Sequence, residues 1–163
     1  MKPPFAPEVF DALLALNNAH AEELSFKTAE GFAQLLAAAS HVKAAAQGLA
    51  LLVAFDETCT YDNGNFRWLK ARYDRFYYID RVVVGAAARG KGLAGRLYAE
   101  LETRTLHEGR ERLACEINST PPNPGSDAFH EWLGFAPVGE APLSGGKIVR
   151  YWVKELNQSQ SAG

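Results

Sequence analysis

The nine residues Phe76 to Val84 (FYYIDRVVV) constrain the chain more than any other segment. They are β-branched or aromatic almost throughout, which is how a strand covered on both faces reads. After them come Gly85 to Gly92, a stretch of small residues with two cations, and then Leu93, Leu97 and Leu101, four apart on one face of a predicted helix. Gly109, after His107 and Glu108, supplies the stop expected at a helix C-terminus. Leu113 to Asn118 is a second strand, close enough behind that helix to lie parallel to the first by a strand–helix–strand crossover. A chain built around this unit is an α/β protein.

The flanking segments fill in the layout. Val9, Phe10, Leu13, Leu14 and Leu16 recur at helical spacing after Pro7, which predicts a helix from Pro7 to Asn17. Phe32, Leu35 and Leu36 carry a second helix, with Thr28 as its N-cap. Val42 to Ala46 and Leu49 to Phe55, parted by Gln47-Gly48, read as a hairpin. From Asp56 to Arg75 the aromatic residues Tyr61, Phe66, Trp68 and Tyr73 are scattered around Asp62-Asn63-Gly64-Asn65, which predicts a long irregular connection. Beyond Pro121-Pro122-Asn123-Pro124-Gly125, a short helix from Ser126 to Leu133 stops at Gly134. A last hairpin pairs residues around Phe135 to Val138 with Ile148 to Val153. The expectation is one domain over residues 1–156 and a frayed polar tail over 157–163.

Net charge is −2 and the isoelectric point is near 6.1, so no global basic field draws the chain to nucleic acid or to anionic lipid. The N-terminus lacks the apolar core of a signal peptide, and no apolar run approaches the roughly 20 residues of a membrane span, so the cytoplasm is the expected location. Cys59 and Cys115 are the only cysteines, and neither has metal-type spacing to His20, His41, His107 or His130. No metal site is expected.

The loop from Gly85 to Gly95 is where chemistry concentrates. It joins a buried strand to a helix N-terminus, whose unpaired N–H groups and dipole favour an anion. Arg89 and Lys91 add positive charge at that point. Three motifs overlap here. Gly85 to Lys91 spells most of a Walker A loop, but Gly92 stands where Ser or Thr must bind Mg²⁺. Gly90-x-Gly92-x-x-Gly95 matches the dinucleotide fingerprint, with Glu116 placed as a ribose-binding acid. Only 47 residues follow Glu116, however, too few for the strand–helix units that fingerprint normally opens.

The third motif uses more of the chain. Arg89-x-x-Gly92-x-Ala94, at the start of a helix beyond a strand ending at Val84, resembles the pyrophosphate-binding signature of the GNAT superfamily of acyl-CoA N-acyltransferases. Asn123-x-x-Ser126-x-x-Phe129-His130-x-x-x-Gly134-Phe135 resembles the family's later segment, where a helix beside the pantetheine arm ends in Gly-Phe before the final hairpin. Together the two cover Phe76 to about Val138, in the family's order. Two departures stand out: no clear strand precedes the Pro7 helix, and His130 occupies the place where many relatives carry a Tyr proposed to protonate the departing thiolate.

The resemblance implies a GNAT fold: a central, mixed, mostly antiparallel sheet with a splayed parallel strand pair, flanked by helices on both faces. It implies acetyl-CoA or another acyl-CoA as cofactor and direct attack by an amine on the thioester. The backbone near Val82, Val83 and Val84 would hold the pantetheine. The N–H groups of Arg89, Gly90, Lys91, Gly92, Leu93, Ala94 and Gly95 would hold the pyrophosphate, while Asn123, Ser126 and Phe129 would border the pantetheine arm. The acceptor would be a small-molecule, amino-acid or protein amine, and a homodimer is allowed.

Candidates for taking the amine proton are Asp80, which shares a face of its strand with Val82 and Val84, and Glu116 on the neighbouring strand. The competing reading of Asp80 is an ion pair with a neighbouring strand, and ordered water could replace either carboxylate. His130 is either the acid that meets the thiolate or a packed helical residue beside Phe129 and Trp132. Asn17, Asn18, His20 and Glu22 lie where the family's acceptor pocket is bordered, though caps and solvated polar residues are usual at such a helix end. Turnover itself is not legible in the loop, because an acyl-CoA-binding sensor or regulatory module of the same fold would keep it intact.

Overall fold

The computed structural model describes residues 5–156. In chain order these form α1 (Pro7–Ala19), α2 (Ala21–Leu24), α3 (Ala29–Ala38), β1 (His41–Ala45), β2 (Ala50–Asp56), α4 (Gly64–Lys70), β3 (Phe76–Val84), α5 (Leu93–His107), β4 (Arg112–Thr120), α6 (Pro124–Leu133), β5 (Ala136–Pro142) and β6 (Ile148–Glu155). The strands make one sheet in the order β1-β2-β3-β4-β6-β5. β1 pairs with β2, β4 with β6 and β5 with β6, all antiparallel, whereas β3 and β4 run parallel. The expected mixed, mostly antiparallel sheet flanked by helices is therefore present, with its single parallel ladder joining Phe76–Tyr78 to Arg112–Ala114. No strand precedes α1 among the described residues. The tail expected at 157–163 lies outside them.

By its internal packing the chain divides into two compact units, the first running to Tyr61 and taking in Ile79–Leu101, the second made of Asp62–Tyr78 and the chain from Glu102 onward. β3 and α5 each contribute to both.

In the first unit, α1 forms because Pro7 opens it and Phe10, Leu13 and Leu16 fall on one buried face. Phe10 meets Phe32 of α3 with ring centres 5.5 Å apart, and each buried side chain of this size contributes about 1.5–3 kcal/mol. Thr28 caps α3 as expected, its hydroxyl accepting from the Gly31 N–H at 3.0 Å. β2 is buried from Ala50 to Phe55, the pattern of a strand covered on both faces. The turn between β1 and β2 needs its glycine, because Gly48 has φ +93° and a Cβ there would stand 2.8 Å from the Cβ of Ala12.

The loop over 25–27 is held by two side-chain amides. Asn18 Nδ2 donates to the Lys27 carbonyl at 2.9 Å, and Lys27 N–H donates back to Asn18 Oδ1 at 2.9 Å. Asn17 Nδ2 donates to the Ser25 carbonyl at 3.0 Å.

In the second unit, the segment expected to be an irregular connection contains α4. Asn63 is its N-cap, with Oδ1 accepting from the Phe66 N–H at 3.0 Å. The helix inserts Phe66 against the rings of Phe76 and Tyr78, with centres 6.0 and 5.7 Å away, and stacks Trp68 on Tyr151 at 3.9 Å. Phe66 is thus core, and Tyr73 lies under the guanidinium of Arg112. α6 begins two residues earlier than expected, at Pro124, and ends at Gly134 in the left-handed conformation with φ +101°. β5 is the last strand in the sheet order, and both Pro137 and Pro142 lie in it.

Among the described residues no helix is long and apolar enough to cross a membrane, and no group of three or more His, Cys, Asp or Glu could hold a metal ion. Cys59 and Cys115 are not disulfide-bonded, and burial pushes the Cys115 thiol well up.

Candidate active site

The loop between β3 and α5 has the build of an anion cradle. A 3₁₀ turn at Ala86–Ala88 follows β3, and the chain then passes through Gly90 at φ +81° and Gly92 at φ +71° before entering α5. Those values explain the two glycines, since an L side chain rarely adopts them. A Cβ added at Gly90, Gly92 or Gly95 would meet nothing within 4 Å, so the space beside the backbone is open at all three. The first backbone bond of α5 is Arg96 N–H to the Gly92 carbonyl at 3.1 Å, which leaves the N–H groups of Leu93, Ala94 and Gly95 without an intrahelical acceptor. Open space, unused donors and the positive end of a 15-residue helix coincide.

Arg89 flanks this cradle. Its Nε donates to the Val84 carbonyl at 3.3 Å and its Nη2 lies 3.2 Å from His20 Nε2. Lys91 is exposed on the same loop, Val82 and Val84 are half-buried on β3, and Val83 is buried on the opposite face.

Asp80 forms the ion pair that its competing reading foresaw, though with the next residue and not with a neighbouring strand. Oδ2 accepts from Arg81 Nε at 2.8 Å, and both side chains are almost fully buried. Oδ1 accepts from the Tyr61 hydroxyl at 2.8 Å. Arg81 Nη1 continues to Asn17 Oδ1 at 2.6 Å, so Asp80 and Arg81 tie β3 to the end of α1.

Glu116 sits in a different setting. The Tyr78 hydroxyl lies 2.8 Å from Oε1 and 3.0 Å from Oε2, and Asn65 Nδ2 donates to Oε1 at 3.0 Å. Asn65 Oδ1 in turn accepts from Tyr151 at 2.8 Å. Burial, with the Glu116 charge adding to it, raises the Tyr151 hydroxyl, so Tyr151 stays a donor at neutral pH. This network joins α4, β3, β4 and β6. Asn65, Tyr78 and Tyr151 were not among the residues foreseen; Asn65 looked like part of a turn and the tyrosines like strand filling.

Around α6, Asn123 Oδ1 accepts from the Ser126 N–H at 3.2 Å and caps the helix. His130 is buried, with Nδ1 2.8 Å from the Ser126 carbonyl and its ring edge-on to Phe129 and Phe135. A carbonyl only accepts, so Nδ1 carries the proton and Nε2 of the neutral ring is an acceptor. Burial pushes the imidazole below its ordinary range, outweighing the upward pull of the Ser126 carbonyl and Asp127.

The model of the acetyltransferase (GNAT) family matches residues 31–135, from α3 through the β3–α5 loop to Phe135, the second residue after α6. The chain belongs to the GNAT family. Solved structures with the same GNAT fold include Ard1 from Thermoplasma volcanium (TM-score 0.71, 12% identity, 94% of this chain and 95% of that one). A second is the ribosomal-protein-alanine N-acetyltransferase from Brucella melitensis (TM-score 0.66, 21% identity, 96% and 100%). A third is an aminoglycoside 6′-N-acetyltransferase complexed with coenzyme A (TM-score 0.67, 14% identity, 93% and 93%). No curated protein matches the sequence.

As a GNAT chain it keeps the cradle and Asp80 in one compact unit, and Glu116, Asn123, Ser126, Phe129 and His130 in the other. Asn17 and Asn18, read as bordering an acceptor pocket, spend their amides on Arg81 and on the loop over 25–27; Glu22 is exposed.

Proposed function

We propose that the protein is an acyl-CoA-dependent N-acetyltransferase that passes the acetyl group of acetyl-CoA directly to an amine. The observation that carries this reading is the cradle: Gly90, Gly92 and Gly95 with no atom where a Cβ would lie, beside the unused N–H groups of Leu93 to Gly95. The residues present fit a pyrophosphate, whose oxygens those N–H groups and Arg89 would hold. Bound acetyl-CoA supplies the thioester from which the acyl group is transferred. Support also comes from the family, and from structural neighbours solved in complex with CoA, such as the aminoglycoside 6′-N-acetyltransferase.

Of the two carboxylates we assign proton removal from the amine to Glu116. Asp80 is locked in a buried ion pair with Arg81, and a proton on it would weaken that pair, which anchors α1. Glu116 is oriented by Tyr78 and Asn65, as a general base needs to be. His130 we assign to packing, because a buried neutral ring whose Nδ1–H is given to Ser126 has no proton to offer at Nε2. Asn123 and Ser126 would then serve the pantetheine arm chiefly by fixing the start of α6.

The protein acetylates amines in the cytoplasm as one domain over 1–156, on this reading. Release of CoA thiol from acetyl-CoA across pooled amines, amino acids and N-terminal peptides tests it. Thiol release that depends on an added amine is the expected result; tight CoA binding with no turnover on any pool would replace it by a CoA-binding module.

A further inference from the structure

His20 and Arg89 lie 69 residues apart in sequence and meet beside the anion cradle. The imidazole has one assignable tautomer. Nδ1 lies 3.0 Å from the Leu16 carbonyl, which can only accept, so the proton is on Nδ1 and Nε2 is the acceptor for Arg89 Nη2 at 3.2 Å. Arg89 Nε is spent on the Val84 carbonyl. The Nε and Nη2 edge of the guanidinium is thus fixed to β3 and to the end of α1, and among the described residues Nη1 has no hydrogen-bond partner. A long, exposed arginine side chain otherwise loses much rotamer freedom on meeting a ligand. Here two bonds to rigid elements hold it beforehand.

We infer that His20 is a positioning residue for Arg89, holding its guanidinium at the loop with Nη1 left for a phosphate oxygen of the cofactor. The inference rests on the acyl-CoA reading of the cradle. The polar partners of His20 among the described residues are the Leu16 carbonyl and Arg89.

The probe is 3′-dephospho-CoA, which keeps the pyrophosphate, and its affinity is measured by calorimetry on the full chain at neutral pH. His20→Ala should weaken binding about threefold to tenfold, the net worth of one ordinary hydrogen bond. His20→Gln, which can donate to Leu16 and accept from Arg89, should restore it. In an Arg89→Ala background, His20→Ala should cost nothing more, because its effect passes through the missing guanidinium.

Equal affinity of His20→Ala and the unaltered protein overturns the inference. So does a further loss in the Arg89→Ala background. If the unaltered protein binds neither CoA nor dephospho-CoA, the cofactor reading itself fails, and this inference with it.

Discussion

Trp68 lies so close over Gly139 that a Cβ on the glycine would stand 2.7 Å from two atoms of the indole. The tryptophan has little room to withdraw, because Tyr151 stacks on it at 3.9 Å and the Arg72 guanidinium lies 3.8 Å from its ring centre. Gly139 also sits where the β5–β6 register shifts. Gly139→Ala should therefore destabilise the fold by about 1–3 kcal/mol in urea unfolding, the usual cost of overpacking. In a Trp68→Leu background the same substitution should cost much less. An equal cost in both backgrounds would mean that the backbone and not the indole demands glycine.

The cradle predicts a selective loss. Arg89→Ala with Gly92→Asp removes a cation and places a carboxylate at the N-terminus of α5, where the helix dipole had favoured an anion. Asp tolerates φ near +71° at a cost of about 1–2 kcal/mol, so the fold should survive. Acetyl-CoA should raise the melting temperature of the unaltered protein, NADH and ATP-Mg²⁺ should not, and the double variant should show no shift with any of them. Stabilisation of the variant by acetyl-CoA equal to that of the parent would rule out this loop as the cofactor site.

Glu116 and Asp80 separate by what their amides do. Glu116→Gln keeps the shape and the bonds to Tyr78 and Asn65 but cannot take a proton, so turnover should fall about 10²–10⁴-fold with CoA affinity unchanged. Asp80→Asn leaves Arg81 without its counter-charge in a buried place, and should lower thermal stability more than it lowers kcat in the folded fraction. The reverse pattern would move the base to Asp80.

His130 gives a pH prediction with a defined sign. Burial holds its folded value below that of the unfolded chain, so the unfolded state takes the proton first as the pH drops. The stability due to the neutral ring is complete above the ordinary imidazole value of about 6.5 and is lost as the pH falls from there toward the lower folded value. Melting temperature should drop over that window, and His130→Phe should flatten the slope while kcat and CoA affinity stay near those of the parent. A large fall in kcat for His130→Phe, with a changed pH–rate profile, would return His130 to the role of acid.

Much of this was legible from local chemistry. The β-branched and aromatic run of β3, the four-residue leucine spacing of α5 and the glycines between them have one comfortable reading each, and the parallel pairing of β3 with β4 followed. α4 was hidden because Asp62-Asn63-Gly64-Asn65 carries the same residue types in a turn as in a helix start, and only the Asn63 bond to the Phe66 N–H distinguishes them. Site residues split the same way. The cradle lies in one short stretch, whereas Asn65, Tyr78 and Tyr151 converge on Glu116 from three elements, and His20 reaches Arg89 across 69 positions. Nothing in a single sequence marks such pairs.

The two prolines of β5 have a consequence for the protein in crowded solution. An end strand offers a row of backbone donors on which another extended chain can grow, and Pro137 and Pro142 delete two of them. Fibrous growth by adding one molecule's strand to the next is discouraged at this border, so a concentrated stock has one fewer route to irreversible loss.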